Sequence, residues 1–126
     1  MLDTSSLEKA IANLKKVLKR TEANLKDEEL RDAAIQRFEY TYELCVKMIK
    51  RKLEQIELPD EIERMTYKDL VRTGAEKGLL DEPELWFKYR DNKNITSHTY
   101  DESKADKVYS IIPSFVKSAD NLLKCL

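Results

Sequence analysis

The segment Ala34-Ile-Gln-Arg-Phe-Glu-Tyr-Thr-Tyr-Glu-Leu-Cys-Val-Lys-Met-Ile-Lys-Arg-Lys-Leu-Glu-Gln-Ile56 carries the clearest structural pattern in the chain. Its apolar residues recur every three or four positions, at Ile35, Phe38, Tyr42, Cys45, Ile49, Leu53 and Ile56. A second apolar line widens this face, formed by Ala34, Leu44 and Met48. Because side chains at this spacing share one face of an α-helix, the pattern predicts a long helix over about residues 27–57.

The residues before this helix show a second helical pattern, and those after it show a break. The apolar positions of the first pattern predict a helix over about residues 5–26; they are Leu7, Ile11, Leu14, Leu18 and Leu25. Pro59 is expected to close the long helix. The acidic residues 58–65 that surround it are predicted to form a linker.

Three shorter patterns follow the linker, each with its own boundary residues. Residues 67–77 are predicted to form a helix between an N-cap at Thr66 and a C-terminal stop at Gly78. A further helix is expected from Pro83, capped by the acidic residue at 81 or 82, to about residue 94. The last begins near Asp101 or Ser103, and Pro113 is expected to kink or interrupt it.

Composition narrows the fold class. The 126 residues correspond to a single domain, residues 1–126, and the 2 glycines and 3 prolines are too few for the turns of a sandwich or barrel. The predicted fold is all-α, a five-helix up-and-down bundle.

The formal net charge of -1 gives no global positive field, so any nucleic acid must be bound by a local basic patch. The long second helix also suggests packing against another subunit.

Three features of the sequence indicate the cellular compartment in which the protein is expected to reside. The apolar runs are too short for the roughly 20 residues of a membrane span, and the N-terminal residues lack a signal-peptide pattern. The 2 cysteines, Cys45 and Cys125, are far apart in sequence and are interpreted as free thiols. These observations predict a cytoplasmic protein without membrane contact.

The polar segment Arg90-Asp-Asn-Lys-Asn-Ile-Thr-Ser-His-Thr-Tyr100 is the candidate functional region. No phosphate-binding loop or metal-ligand motif occurs, and 1 histidine cannot build a site of several histidine ligands, so we expect no metal and no cofactor. An imidazole beside cations can move a proton while the cations hold a phosphate. On composition alone, ordinary surface charges and helix caps are the favoured explanation of these residues, because polar residues are common in loops between helices. Lys93 and His98 can converge only if the helix ends between them.

This segment resembles the motif of HEPN-domain proteins, and more closely the branch called nucleotidyltransferase substrate-binding proteins. Residues 34–51 and the segment Trp86-Phe-Lys-Tyr-Arg-Asp91 resemble the same branch. The resemblance implies a five-helix bundle, a homodimer, and a partner that is a minimal nucleotidyltransferase. It further implies a toxin–antitoxin pair, in which the HEPN member is a metal-independent ribonuclease. In some pairs the partner neutralises it by placing AMP on the tyrosine two residues after the histidine, here Tyr100.

The resemblance assigns roles to residues of this segment. His98, Arg90, Lys93 and Asn94 are the expected catalytic residues, and Arg90, Asp91, Lys93 and Ser97 the expected contacts to RNA or nucleotide. One departure is that Lys93 stands where the family usually has arginine, which removes the planar fork that binds phosphate bidentately. Two hypotheses therefore remain open: an endoribonuclease toxin, or a non-catalytic subunit that presents a nucleotide or substrate to its nucleotidyltransferase.

Overall fold

A computed structural model describes residues 2–126. Within this range the chain forms six α-helices and a one-turn 3₁₀ helix, with no strand, which confirms the all-α fold class. In chain order these are α1 (Ser5–Ala23), α2 (Glu28–Ile56), α3 (Pro59–Glu63), α4 (Tyr67–Glu76), α5 (Pro83–Asn94), the 3₁₀ helix (Thr96–His98) and α6 (Glu102–Cys125). The bundle therefore has one short helix more than the five predicted. No helix of residues 2–126 is long and apolar enough to cross a membrane.

The long helices α1, α2 and α6 pack on one another, and the shorter α4 and α5 pack on α2 and on each other to complete the core. At its centre lies Phe115 of α6, whose ring meets Phe38 edge-on at a centroid distance of 5.0 Å. Tyr89 and Trp86 of α5 meet the same ring edge-on at 5.3 and 6.1 Å. Edge-to-face aromatic pairs at these distances add to the gain from burial, so this cluster fixes α5 against α2 and α6.

Several helix ends follow the predicted caps. The Thr66 side chain accepts a hydrogen bond from the backbone N–H of Asp69, as an N-cap of α4 should. Gly78 has a φ of 79°, a left-handed conformation that favours glycine just after a helix. Asp27 caps α2 through the backbone N–H of Leu30. These local signals explain why the predicted boundaries of α2 and α4 lie within two residues of the observed ones. The α5 helix also begins at Pro83 as predicted, but Glu82 at its N-cap makes no side-chain capping hydrogen bond, so the predicted acidic cap is wrong in that respect.

The first helix is shorter than predicted. α1 ends at Ala23, and Leu25, assigned to its apolar face, is 79% exposed. The reason is the turn that follows, in which the Asn24 side chain donates to the Arg20 carbonyl and the Asp27 N–H donates to the Asn24 carbonyl. Ile56 was likewise wrongly assigned to the buried face of α2; at the last residue of that helix it is 47% exposed.

The structure corrects the linker predicted around Pro59, and of the kink or interruption predicted at Pro113 it excludes the interruption. Residues 59–63 form α3 rather than a linker, because Pro59 is preorganised for a first helical turn and Ile62 is buried against the core. Pro113 does not interrupt α6, which runs continuously from Glu102 to Cys125. Its ring lies on the exposed side of the helix, where water can hydrate a carbonyl that has lost its helical donor.

Candidate functional site

The candidate segment forms the junction between α5 and α6. α5 ends at Asn94, and the backbone N–H of His98 donates to the Ile95 carbonyl at 2.9 Å within the 3₁₀ turn. Asp101 then caps α6, its carboxylate accepting from the backbone N–H groups of Ser103 and Lys104. The α5 helix thus ends between Lys93 and His98, which is the condition that the sequence sets for these two side chains to converge.

His98 and Tyr100 are the exposed aromatic side chains of this junction. Their ring centroids are 6.0 Å apart and the rings are nearly perpendicular, at 74°. Tyr100 is 84% exposed, unusual for a tyrosine, and His98 is also exposed. Both the imidazole and the phenol can therefore be reached by another molecule.

Arg90 lies on α5, one turn before Lys93. Its guanidinium stacks on the ring of Tyr67, with the carbon 4.7 Å from the ring centroid. The Tyr67 hydroxyl donates to the Trp86 carbonyl at 2.9 Å, and burial raises the pKa of Tyr67 to about 12, so the phenol stays neutral at physiological pH. This cation–π contact holds Arg90 in place without neutralising its charge, so the guanidinium can still attract a phosphate.

Two carboxylates of α2 meet the basic segment. The Lys93 ammonium lies 3.6 Å from the Glu43 carboxylate. The Thr96 hydroxyl donates to the Glu39 carboxylate and lies 2.8 Å from the Lys93 carbonyl. Sequence reasoning missed both glutamates, because their pattern in the sequence is that of ordinary charges on the solvent-exposed face of α2. Their spacing of four residues on one helix was the only available signal.

The remaining predicted residues lie in two different places. Asn94 and Ser97 are exposed at the end of α5 and in the 3₁₀ turn. Asp91 lies on the α6 side of α5, in a groove with Lys88, Lys107 and others. The structure therefore brings Lys93, Thr96 and the two α2 carboxylates together, and places Asp91 in a separate groove.

Two further features delimit the site. Arg31 of α2 bridges to Glu102 in the first turn of α6, at 2.8 Å, and so ties that turn to the start of α2. A cavity of about 220 Å³ lies beside Trp86 and Ser118, outside the junction. Within residues 2–126 no cluster of His, Cys, Asp and Glu side chains could hold a metal ion.

Comparison with known proteins assigns the class. Residues 2–126 match the family described as nucleotidyltransferase substrate binding protein like. The Haemophilus influenzae protein named "Probable ribonuclease HepT" is 45% identical over 94 residues, which are 74% of this chain and 64% of that protein. A solved Haemophilus influenzae structure, described as the fold of a substrate binding domain of a nucleotidyltransferase, matches with a TM-score of 0.92 and 34% identity over 98% of each chain. A Thermus thermophilus structure matches with a TM-score of 0.76 and 34% identity, covering 94% of this chain and 96% of the other.

The helical bundle thus has the fold described for a substrate binding domain of a nucleotidyltransferase. The chain belongs to the nucleotidyltransferase substrate binding protein family, and the resemblance seen in its sequence is confirmed.

Proposed function

We propose that the chain is a metal-independent endoribonuclease, the toxin of a pair neutralised by a cognate minimal nucleotidyltransferase. The observation that carries this proposal is the exposed pair of His98 and Tyr100, placed directly after the helix that presents Arg90 and Lys93. The relative named as a ribonuclease supports the reaction class. Family membership supports a nucleotidyltransferase as the partner.

The reaction needs a base, a cationic clamp and a leaving group. His98 takes the proton of a ribose 2′-hydroxyl, whose oxygen forms a bond to phosphorus as the bond to the 5′-oxygen breaks. Arg90 and Lys93 stabilise the charge that develops on the phosphate, and Asn94 orients the phosphate or the imidazole. The products are a 2′,3′-cyclic phosphate and a 5′-hydroxyl, which receives a proton as it leaves.

Tyr100 is the proposed site at which the partner acts. Attachment of AMP to its exposed hydroxyl would add a phosphodiester anion and an adenosine beside His98. The anion can pair with the cations that otherwise hold RNA phosphate, and the adenosine fills the approach to the imidazole. Neutralisation then requires occupation of the site and charge compensation, with no change of fold.

We also propose that the chain is a homodimer in which the two junctions face a shared cleft. The support is the 29-residue α2 and the exposed apolar surface of Tyr40 on that helix. A stable interface of this kind buries about 1,200–2,000 Å² in total. Light scattering should give about twice 14.8 kDa, and a monomer at micromolar concentration would contradict the dimer.

A second candidate function is favoured by one observation, the contact between Lys93 and Glu43. Lysine already lacks the planar fork by which the family's arginine binds phosphate bidentately, and the Glu43 carboxylate weakens its hold on a scissile phosphate by a further, modest amount. In that case the chain is a non-catalytic subunit that presents a nucleotide or substrate to the nucleotidyltransferase.

Expression with and without the partner gene separates the two functions. The ribonuclease predicts growth arrest and cleaved RNA when the chain is produced alone, both abolished by His98→Ala. Co-expression with the nucleotidyltransferase should restore growth and add one AMP to the intact mass, and Tyr100→Phe should abolish the added mass. Normal growth with uncleaved RNA, in cells that contain folded protein, would favour the substrate-presenting subunit.

A further inference from the structure

Glu39 and Glu43 lie one turn apart on α2, and each contacts a different part of the candidate segment. Glu39 accepts a hydrogen bond from Thr96, 57 residues away in sequence. Glu43 forms an ion pair with Lys93. Neither glutamate is among the buried residues of α2, so neither contact belongs to the apolar packing that holds this helix on the core. Their roles must therefore be sought in the junction.

The contact with Glu39 holds the 3₁₀ turn. Thr96 is the first residue of this turn, and its hydroxyl has a single proton to donate. A carboxylate is a stronger acceptor than the nearby Lys93 carbonyl, so the charge-assisted bond to Glu39 is favoured. The Thr99 hydroxyl in turn donates to the Thr96 carbonyl at 3.1 Å. Glu39 thus fixes the start of the turn that carries His98.

The contact with Glu43 has a different consequence. The Glu43 side chain is 56% exposed and Lys93 is 31% exposed, at an N–O distance of 3.6 Å. Ion pairs this open to solvent are weak, because water and salt compete with them. A phosphate that approaches Lys93 can therefore displace Glu43 at a small cost in free energy. The presence of Glu43 then lowers the affinity of Lys93 for phosphate only modestly.

We propose that Glu39 is a positioning residue for His98, and that Glu43 is an internal counter-ion that a phosphate must displace from Lys93. The expected effects of the two glutamates on RNA cleavage rest on the proposed ribonuclease function. Their expected effects on the position of His98 and on phosphate binding do not depend on that function. Glu39 acts through Thr96 and does not touch substrate, whereas Glu43 sets the charge that the substrate meets.

The single histidine makes the positioning role directly measurable. In the folded wild-type protein, the only imidazole resonances are those of His98, and its ring protons should show a nuclear Overhauser effect to Tyr100. Glu39→Gln keeps an acceptor for Thr96 and should preserve this effect and the imidazole shifts. Glu39→Ala and Thr96→Val should both shift the resonances and weaken the effect. Unchanged spectra in these two variants would overturn the role of Glu39.

Titration with inorganic phosphate tests the counter-ion. We expect Glu43→Gln to bind phosphate about two- to fivefold more tightly, the range that corresponds to an exposed ion pair. Glu29→Gln makes the same charge change on an exposed residue of α2 and should have a much smaller effect. The gain from Glu43→Gln should vanish in a Lys93→Gln background. An equal gain with and without the lysine would overturn the displacement.

Kinetics with an RNA substrate separate this inference from the proposed function. Glu39→Ala should lower kcat about tenfold with little change in KM, because a misplaced base affects the chemical step. Glu43→Gln should instead lower KM with kcat unchanged. If no variant or wild-type protein cleaves RNA, the ribonuclease proposal fails, while the spectra and the phosphate titration still decide the roles of both glutamates.

Discussion

Replacement of Tyr89 by phenylalanine tests how α5, the helix that presents Arg90 and Lys93, is held in place. The Tyr89 ring is fully buried, and its hydroxyl lies 2.6 Å from the Ser118 hydroxyl and 3.0 Å from that of Ser114. Both serines are on α6, so these hydrogen bonds join the two helices that flank the junction. Phenylalanine keeps the aromatic packing on Phe115 and removes only the hydroxyl.

The expected loss follows from these contacts. Each hydrogen bond contributes about 0.5–1.5 kcal/mol net, and the half-buried serines can recover water in the adjoining cavity, so we expect a loss of about 1–2 kcal/mol. For 126 residues with about 2.1 cal/mol/K of unfolding entropy each, this lowers the melting temperature by about 4–8 °C.

Thermal unfolding followed by circular dichroism measures this shift. Tyr100→Phe is the matched control, because Tyr100 is 84% exposed and its hydroxyl should contribute less than about 0.5 kcal/mol. Ser118→Ala should add less to Tyr89→Phe than it costs alone, since both changes remove the same bond. A shift for Tyr89→Phe no larger than that of Tyr100→Phe would refute the reasoning.

Three further outcomes are expected. Arg31→Ala should speed amide exchange in the first turn of α6, because it removes the bridge to that turn, and unchanged exchange would count against it. Hydrogen bonding to Ser103 lowers the pKa of Asp101. The stability contributed by this carboxylate is therefore present above its unfolded-state pKa and is lost as the pH falls through its folded-state pKa. Between about pH 5 and pH 2 the wild-type protein should lose more stability than the Asp101→Asn variant. Arg90→Ala should weaken binding of an RNA oligonucleotide and reduce its salt dependence by about one counterion, whereas the exposed Lys16→Ala should not; equal effects would indicate nonspecific binding.

Local signals explain which parts of the fold could be predicted. The periodicity of α2 and the caps at Thr66 and Gly78 act within a few residues, so the sequence alone placed these elements. Leu25 and Ile56 were misplaced because periodicity continues past a helix end that a turn or the tertiary packing sets. Pro59 signals both an end and a beginning, and only the burial of Ile62 shows that a helix follows it.

The candidate site likewise has a part that the sequence predicts and a part that only the structure reveals. The residues of the junction are contiguous, so the basic segment, His98 and the exposed Tyr100 could be proposed from sequence and family resemblance. The contacts of Thr96 with Glu39 and of Lys93 with Glu43 join residues about fifty positions apart. Such pairs depend on how α5 packs on α2, which periodicity does not specify. Arg90 shows the same limit, since its stacking on Tyr67 depends on the position of α4.

Cleavage of RNA by the purified chain, with a chelator present and the partner absent, tests the central claim most directly. The account predicts products with 2′,3′-cyclic phosphate and 5′-hydroxyl ends, formed by the wild-type protein and not by a folded His98→Ala variant. Cleavage that persists in His98→Ala, or no cleavage by a wild-type protein that still binds its nucleotidyltransferase, would contradict it.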